Sequence, residues 1–232
     1  MFIYFLLGLP VLLVGMIAVV GRLEKRMVWP YGPPQEHPPF PDASGYAIRW
    51  ANEALKAGFT FLGWAPDLKG PRYQISYAFL TSPERDCFVI IGVGTIMAMP
   101  LRGTWIYTCT ADGRAFYTTD NQSCIEIDVS RRWQSQLARA STFSELLQHH
   151  RSLLLDSRVS VQRFTPGREI EEFKRVREEH YRWMSRQGLI AFTDNAAARW
   201  RYTWWGSLKV AALNYSIGML RAVTFGRIPR RA

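Results

Sequence analysis

The chain has 232 residues, of which 48% are hydrophobic and 14% aromatic; that is too apolar for a disordered protein, and long enough for one sizeable core with little room for a second. Its formal net charge of +10 is unevenly spread, with residues 129–193 carrying +5 and residues 194–232 carrying +6. A basic C-terminal half points to an anionic partner surface, such as phospholipid headgroups, nucleic acid or an acidic protein face, and the plain alternative is a solvated surface that serves solubility alone.

Residues 2–20 read FIYFLLGLPVLLVGMIAVV, without a charged side chain. At about 1.5 Å per residue this run spans roughly 28 Å as a helix, close to the ~30 Å hydrocarbon core of a bilayer. Pro10, Gly8 and Gly15 are compatible with a membrane helix. A cleaved signal peptide is the rival reading. It requires a basic leading region and a small-residue cleavage site, whereas here nothing basic precedes the apolar run and Gly21-Arg22-Leu23-Glu24-Lys25-Arg26 follows it. Arg22, Lys25 and Arg26 at the trailing end predict, by the positive-inside rule, an inner-membrane protein with its N-terminus outside and its C-terminal domain in the cytoplasm. Trp29 stands where an interfacial aromatic belt is expected, and the prolines of 27–41 predict an extended spacer, holding the domain off the bilayer or wrapping along a neighbour.

A soluble domain is expected over 42–195. Asp42 or Ser44 caps a helix whose face is Tyr46, Ala47, Trp50, Ala51 and Ala54, and Gly58 is placed to end it. Runs at 59–64, 73–80, 87–96, 104–110 and 115–119 have the β-branched and aromatic content of strands and predict an antiparallel meander. Asp112-Gly113 suggests a two-residue type I′ turn. A capping box at Thr142-x-x-Glu145 opens a second helix, 158–164 suggests one more strand, and 168–187 carries a helical stripe ended by Gly188.

A final helix is expected from about residue 196 to 225, within a basic C-terminal segment 196–232. Its periodicity places Trp200, Trp204, Leu208 and Ala211 on one face with Lys209 and Arg221 opposite, a pattern suited to a membrane interface or to packing on the domain itself. A second span is disfavoured, because Lys209 and Arg221 would each cost roughly 2.5–3.5 kcal/mol in the bilayer centre. The fold class expected is therefore α+β: one N-terminal transmembrane helix (1–26 with its basic flank), a proline-rich strut, a small antiparallel meander with helices packed on it, and an amphipathic basic helix.

Cys87, Cys109 and Cys124 form no CxxC pair and read as reduced, buried thiols, with a single extracellular bridge as the alternative. His150 and His180 fall on apolar helix stripes, where a hydrogen-bonded core histidine is the ordinary explanation. His149-His150 point to different faces, and Glu178-Glu179-His180 lacks the HExxH spacing of a metal helix. Gly92-x-Gly94 lacks the third glycine and the lysine of a phosphate loop and suggests close packing instead. No catalytic residue, metal or cofactor is expected, and no nucleic-acid module is visible. The membrane-interface candidates are Arg22, Lys25, Arg26, Trp29, Trp200, Trp204, Trp205, Lys209, Arg227, Arg230 and Arg231. The expectation is an accessory or scaffold subunit without chemistry of its own. It would contact the bilayer, anionic headgroups and other integral-membrane subunits, and energy-transducing complexes are one class of host. A tethered anionic-lipid-binding or sensor domain is the second reading and a tethered enzyme the third.

Overall fold

The computed structural model describes residues 15–16, 19, 22–23, 25–121, 132–157, 159–194 and 198–223, with the side chains of 156 and 214–223 left undescribed. It is an α+β fold, and its described residues divide into two compact units with boundaries at Val28/Trp29 and Arg177/Glu178. The predicted span 2–20 lies, apart from Gly15, Met16 and Val19, outside the described residues. Among those described, no helix is long and apolar enough to cross a membrane.

The larger unit begins with α1 (Tyr46–Lys56), whose buried side chains are Tyr46, Ala47, Trp50, Ala51 and Ala54, the face expected from its period. Gly45 occupies the N-cap position, yet the work of the cap falls to its neighbours. The Asp42 carboxylate accepts from the amides of Ala47 (2.7 Å) and Ile48 (3.3 Å), and Ser44 Oγ accepts from Tyr46. At the other end Gly58 (φ 86°) donates to Leu55 and Phe59 donates to Ala54, a Schellman closure that only a left-handed residue permits cheaply.

Six strands follow: β2 (Thr60–Pro66), β3 (Tyr73–Thr81), β4 (Phe88–Ile96), β5 (Met99–Cys109), β6 (Ala115–Thr119) and β7 (Trp133–Leu137), in that spatial order. β2 to β6 pair antiparallel, as the meander predicts, whereas β7, absent from the sequence reading, joins β6 in parallel and makes the sheet mixed. Strict alternation sends Ala78, Leu80, Val89, Ile91 and Ile106 to one face, where α1 and α2 (Phe143–Ser157) bury them with Trp50, Phe143 and Leu146. The opposite face carries Ile75, Tyr77, Phe79, Phe88, Ile90 and Tyr107. It is covered by Phe164, by Phe173 and Val176 of α3 (Glu169–Arg186), and by Trp29 and Tyr31. Each of these large side chains contributes about 1.5–3 kcal/mol on burial.

Three local expectations change. The 110–114 hairpin has only Gly113 at positive φ (75°), with Gly113 donating to the Thr110 carbonyl and Thr110 to that of Arg114. It is therefore a three-residue loop closed by a left-handed glycine and not a two-residue type I′ turn. The strand expected at 158–164 reduces, among the described residues, to one bridge, Val161 to Thr110, and hydrogen bonds from Gln162 to Cys109 and from Phe164 to Arg85. The proline-rich segment finds its neighbour within the same unit. Gln35 exchanges two hydrogen bonds with Trp64 (2.7 and 2.8 Å), Gly32 donates to Pro66, and Leu68 donates to Pro30. Prolines suit that position, an edge with no further strand to serve.

The smaller unit contains β1 (Arg26–Met27), the second half of α3, β8 (Ile190–Asp194), β9 (Arg199–Tyr202) and α4 (Trp204–Val223), with the sheet ordered β1-β9-β8. The last helix thus starts at Trp204 and not near 196. Residues 199–202 alternate exposed and buried as a strand, with Trp200 and Tyr202 inward. The four-residue spacing of Trp200 and Trp204 is in phase with both a period of 2 and a period near 3.6, which is why the helical reading ran too far. Thr203 stops the strand and starts the helix: its Oγ1 donates to the Gly188 carbonyl (2.6 Å) and accepts from the Gly206 amide (3.0 Å).

Candidate membrane interface

The core of the smaller unit is Val28, Tyr181, Met184, Leu189, Ile190, Trp200 and Tyr202. Trp200 is 3% exposed and lies between Tyr181 (centroids 5.0 Å apart) and Tyr202 (5.1 Å). β1 pairs Arg26 with Trp200 and Met27 with Arg199, and thereby ties the end of the basic flank to β9. The Arg26 guanidinium sits 5.7 Å from the Trp200 ring centroid and 5.1 Å from that of Tyr202. Arg22 donates from Nη1 to the Tyr202 carbonyl (2.9 Å) and stands 5.4 Å over the Trp204 ring. A guanidinium keeps its charge while stacked on an aromatic face, so these contacts place cations beside indoles without burying the charge.

α4 turns Gly206, Ser207 and Ala211 inward, and a Cβ at Gly206 would stand 1.9 Å from the Leu189 carbonyl oxygen. Its outward positions are Trp204 and Trp205, each 57% exposed, and Leu208 at 44%. The Lys209 Nζ lies 5.1 Å from the Trp205 ring centroid. Two exposed indoles flanked by Arg22 and Lys209 match the chemistry of the headgroup layer, where amphipathic rings and cations are both favoured.

Of the sequence-derived candidates, Arg22, Arg26, Trp200, Trp204, Trp205 and Lys209 are thus brought together in one unit, with Trp200 in its core. Ala211, expected on the same face as Trp204, lies on the buried side, since Gly206 fixes the rotation of α4. Lys25 is exposed. Trp29 belongs to the other unit, against Tyr31 (4.8 Å), Phe79 (6.0 Å) and Phe173 (6.2 Å). Arg227, Arg230 and Arg231 lie outside the described residues, as does Cys124.

Titratable groups inside the larger unit are arranged for packing. His150 is fully buried between two hydroxyls, Nε2 to Thr108 Oγ1 (2.9 Å) and Nδ1 to Thr118 Oγ1 (3.0 Å), and Thr108 also meets Cys87 Sγ (3.3 Å). Burial lowers the imidazole to about 3 and raises the Cys87 and Cys109 thiols to about 12. At neutral pH the ring is therefore uncharged and the thiols are protonated, so His150 is a weak base and neither thiol is activated. A second group, which local spacing could not suggest, joins Asp120 to Tyr46 and Thr104. The tyrosine hydroxyl and the Thr104 amide (2.7 Å) both donate to the carboxylate, whose pKa burial raises. Among the described residues no cluster of three His, Cys, Asp or Glu side chains could hold a metal.

Comparison with protein-family models, with curated proteins and with solved structures gives no match.

Proposed function

We propose that the protein is a membrane-anchored accessory subunit, N-out and C-in, whose cytoplasmic domain docks on integral-membrane partners and performs no chemistry of its own. The observation that carries this reading is the junction at Arg22. Immediately after the predicted span, its guanidinium is bonded to the Tyr202 carbonyl and stacked on the exposed Trp204. Arg22, next after the predicted span, and the aromatic face of α4 thereby belong to one unit, and an interfacial depth would suit both. Solubilisation of native membranes in mild detergent, followed by native electrophoresis, tests it: the chain is expected in a stoichiometric assembly, and a detergent-solubilised monomer sinks the proposal. Alkaline carbonate extraction tests the anchor separately, since an anchored chain stays with the pellet.

The exposure of Trp204, Trp205 and Leu208 beside cations favours a second reading, a tethered domain that grips anionic lipid. Replacing both exposed tryptophans by serine is expected to cost about 1–2 kcal/mol of stability, the loss of the two cation–π contacts, and to leave the fold intact. The same change should abolish protection of α4 amides by anionic vesicles in hydrogen exchange. Retained protection counts against this second reading.

A further inference from the structure

One end of the central sheet presents an apolar surface that the fold leaves uncovered. The turn between β4 and β5 places five apolar residues in succession, Ile96-Met97-Ala98-Met99-Pro100, with Met97 63% and Met99 65% exposed. Register aligns Tyr73, Ile96 and Met99 in one row across three strands, Gln74, Thr95 and Pro100 in the next, and Ile75, Gly94 and Leu101 in the one after, on the same face as the first. The Met97 amide donates to the Arg72 carbonyl (2.9 Å), so the β2–β3 connection lies beside this tip and adds Leu68, 47% exposed. That connection also supplies two exposed cations, Lys69, whose Nζ stands 5.5 Å over the Tyr73 ring, and Arg72. The one acid in residues 67–75 and 94–103 is Asp67. It is buried, accepts from Tyr77 Oη (2.9 Å) and from the Lys69 amide (2.7 Å), and stands 3.8 Å from Lys69 Nζ, so Arg72 is the cation of this pair that has no acid in these segments beside it.

The backbone supplies an independent observation. Met97 (φ 51°) and Ala98 (φ 67°) are both left-handed, as the two central residues of a type I′ turn must be. Asn-Gly meets that requirement without strain, whereas an L-residue with an ordinary side chain does not. A strained turn that keeps exposed methionine where folding alone favours asparagine and glycine is the kind of local conflict that marks a working surface.

We propose that this end of the sheet is a contact site for an anionic phospholipid surface. Leu68, Met97 and Met99 enter the interfacial layer, and Lys69 and Arg72 meet the headgroup phosphates. The occupant follows from shape and charge together. A protruding apolar tip needs no complementary cleft in a fluid interface, as it would in a protein partner, and the flanking charge is net positive, with Lys69 and Arg72 exposed and the single acid, Asp67, buried beneath Lys69. Nothing in this inference rests on the proposed anchor, because every residue in it belongs to the larger unit.

The test uses the full chain with Cys124→Ser and a single nitroxide attached through Met97→Cys, or through Glu84→Cys as a control. Glu84 is exposed in the turn at the other end of β4, and Cys87 and Cys109 are buried. The protein is reconstituted in, or added to, vesicles of phosphatidylcholine alone or mixed with phosphatidylglycerol. On mixed vesicles the ratio of oxygen to nickel-chelate collisions at position 97 is expected to be several-fold that at position 84. The difference should vanish on phosphatidylcholine alone and in the Lys69→Gln/Arg72→Gln variant, which removes both cations without setting a second carboxylate beside Asp67. A label at 97 that stays in water overturns the proposal. So does one shielded from both relaxants, which would mean a protein partner, and immersion indifferent to lipid charge overturns the assignment to an anionic surface. Carbonate extraction reports on the anchor alone, so the two readings fail separately.

Discussion

His150 shows how one buried side chain writes a pH dependence into the fold. Its ring is uncharged in the folded protein, lowered to about 3 by burial, while the unfolded chain protonates near its ordinary value of 6.5. The folded pKa is the lower of the two. The stability that depends on the neutral ring is therefore complete above about pH 6.5 and is lost as pH falls toward 3, at up to about 1.4 kcal/mol per pH unit for one proton. Urea midpoints measured across that window should fall for the natural protein, and the His150→Gln variant should show a shallower slope. At neutral pH that variant should be less stable by about 1–3 kcal/mol, the cost of losing the ring's hydrogen bonds to the buried Thr108 and Thr118 hydroxyls. Unchanged slopes in the two proteins would mean that the ring is solvated. Gly94 makes the steric counterpart. A Cβ there would lie 2.0 Å from the Gln74 carbonyl oxygen at a φ of 151°, so Gly94→Ala should destabilise by about 3 kcal/mol or more in chemical denaturation. Gly92 instead leaves room for the rings of Tyr77 and Trp105. The Gly-x-Gly pair, read from sequence as a packing signal, serves close approach in both of its positions.

Among elements, those whose signal is local were legible. The buried face of α1 follows from its 3.6 period and its end from Gly58. The five antiparallel strands follow from β-branched and aromatic runs separated by turns. Elements whose signal is a pairing were not. β7 is a five-residue run, WQSQL, that gains strand conformation only by lying beside β6. Residues 30–35 read as a spacer because proline has no amide to give, yet Gln35 and Gly32 still bond to β2. Amides of Gln35, Trp64 and Leu68 should accordingly exchange as slowly as other sheet amides. Gly32→Ala, with its Cβ 2.7 Å from the Pro66 ring, should release the first and third. Fast exchange at Gln35 in the natural protein would contradict the edge pairing. In the β4–β5 turn, Met97→Asn with Ala98→Gly should raise stability by about 1–2 kcal/mol in urea unfolding, by relieving two left-handed non-glycine residues. The same change should weaken the lipid contact proposed for the tip.

At the scale of the whole molecule, the charge asymmetry and the apolar run at 2–20 are properties of the sequence, and they suffice to set the expectation of a membrane-facing basic protein. The α+β class was equally within reach, because helix and strand periods are written in consecutive residues. What the tertiary structure decided is which distant residues share a surface. Arg22 and Arg26 are 180 and 176 positions from the Tyr202 that both approach, and no local pattern encodes that meeting. Nor does one tell the buried indole of Trp200 from the exposed indole of Trp204. The two are four residues apart, identical in type and in phase with either period, and only the end of β9 at Thr203 assigns one to a core and the other to solvent. The same limit explains why the joining of Asp120 to Tyr46, and of His150 to Thr108 and Thr118, was invisible beforehand. Sequence determined the elements with a local signal and the sign of the surface, through short-range sterics and composition. The candidate interface was left to packing, because long-range contacts depend on how buried faces meet and not on the order of residues along the chain.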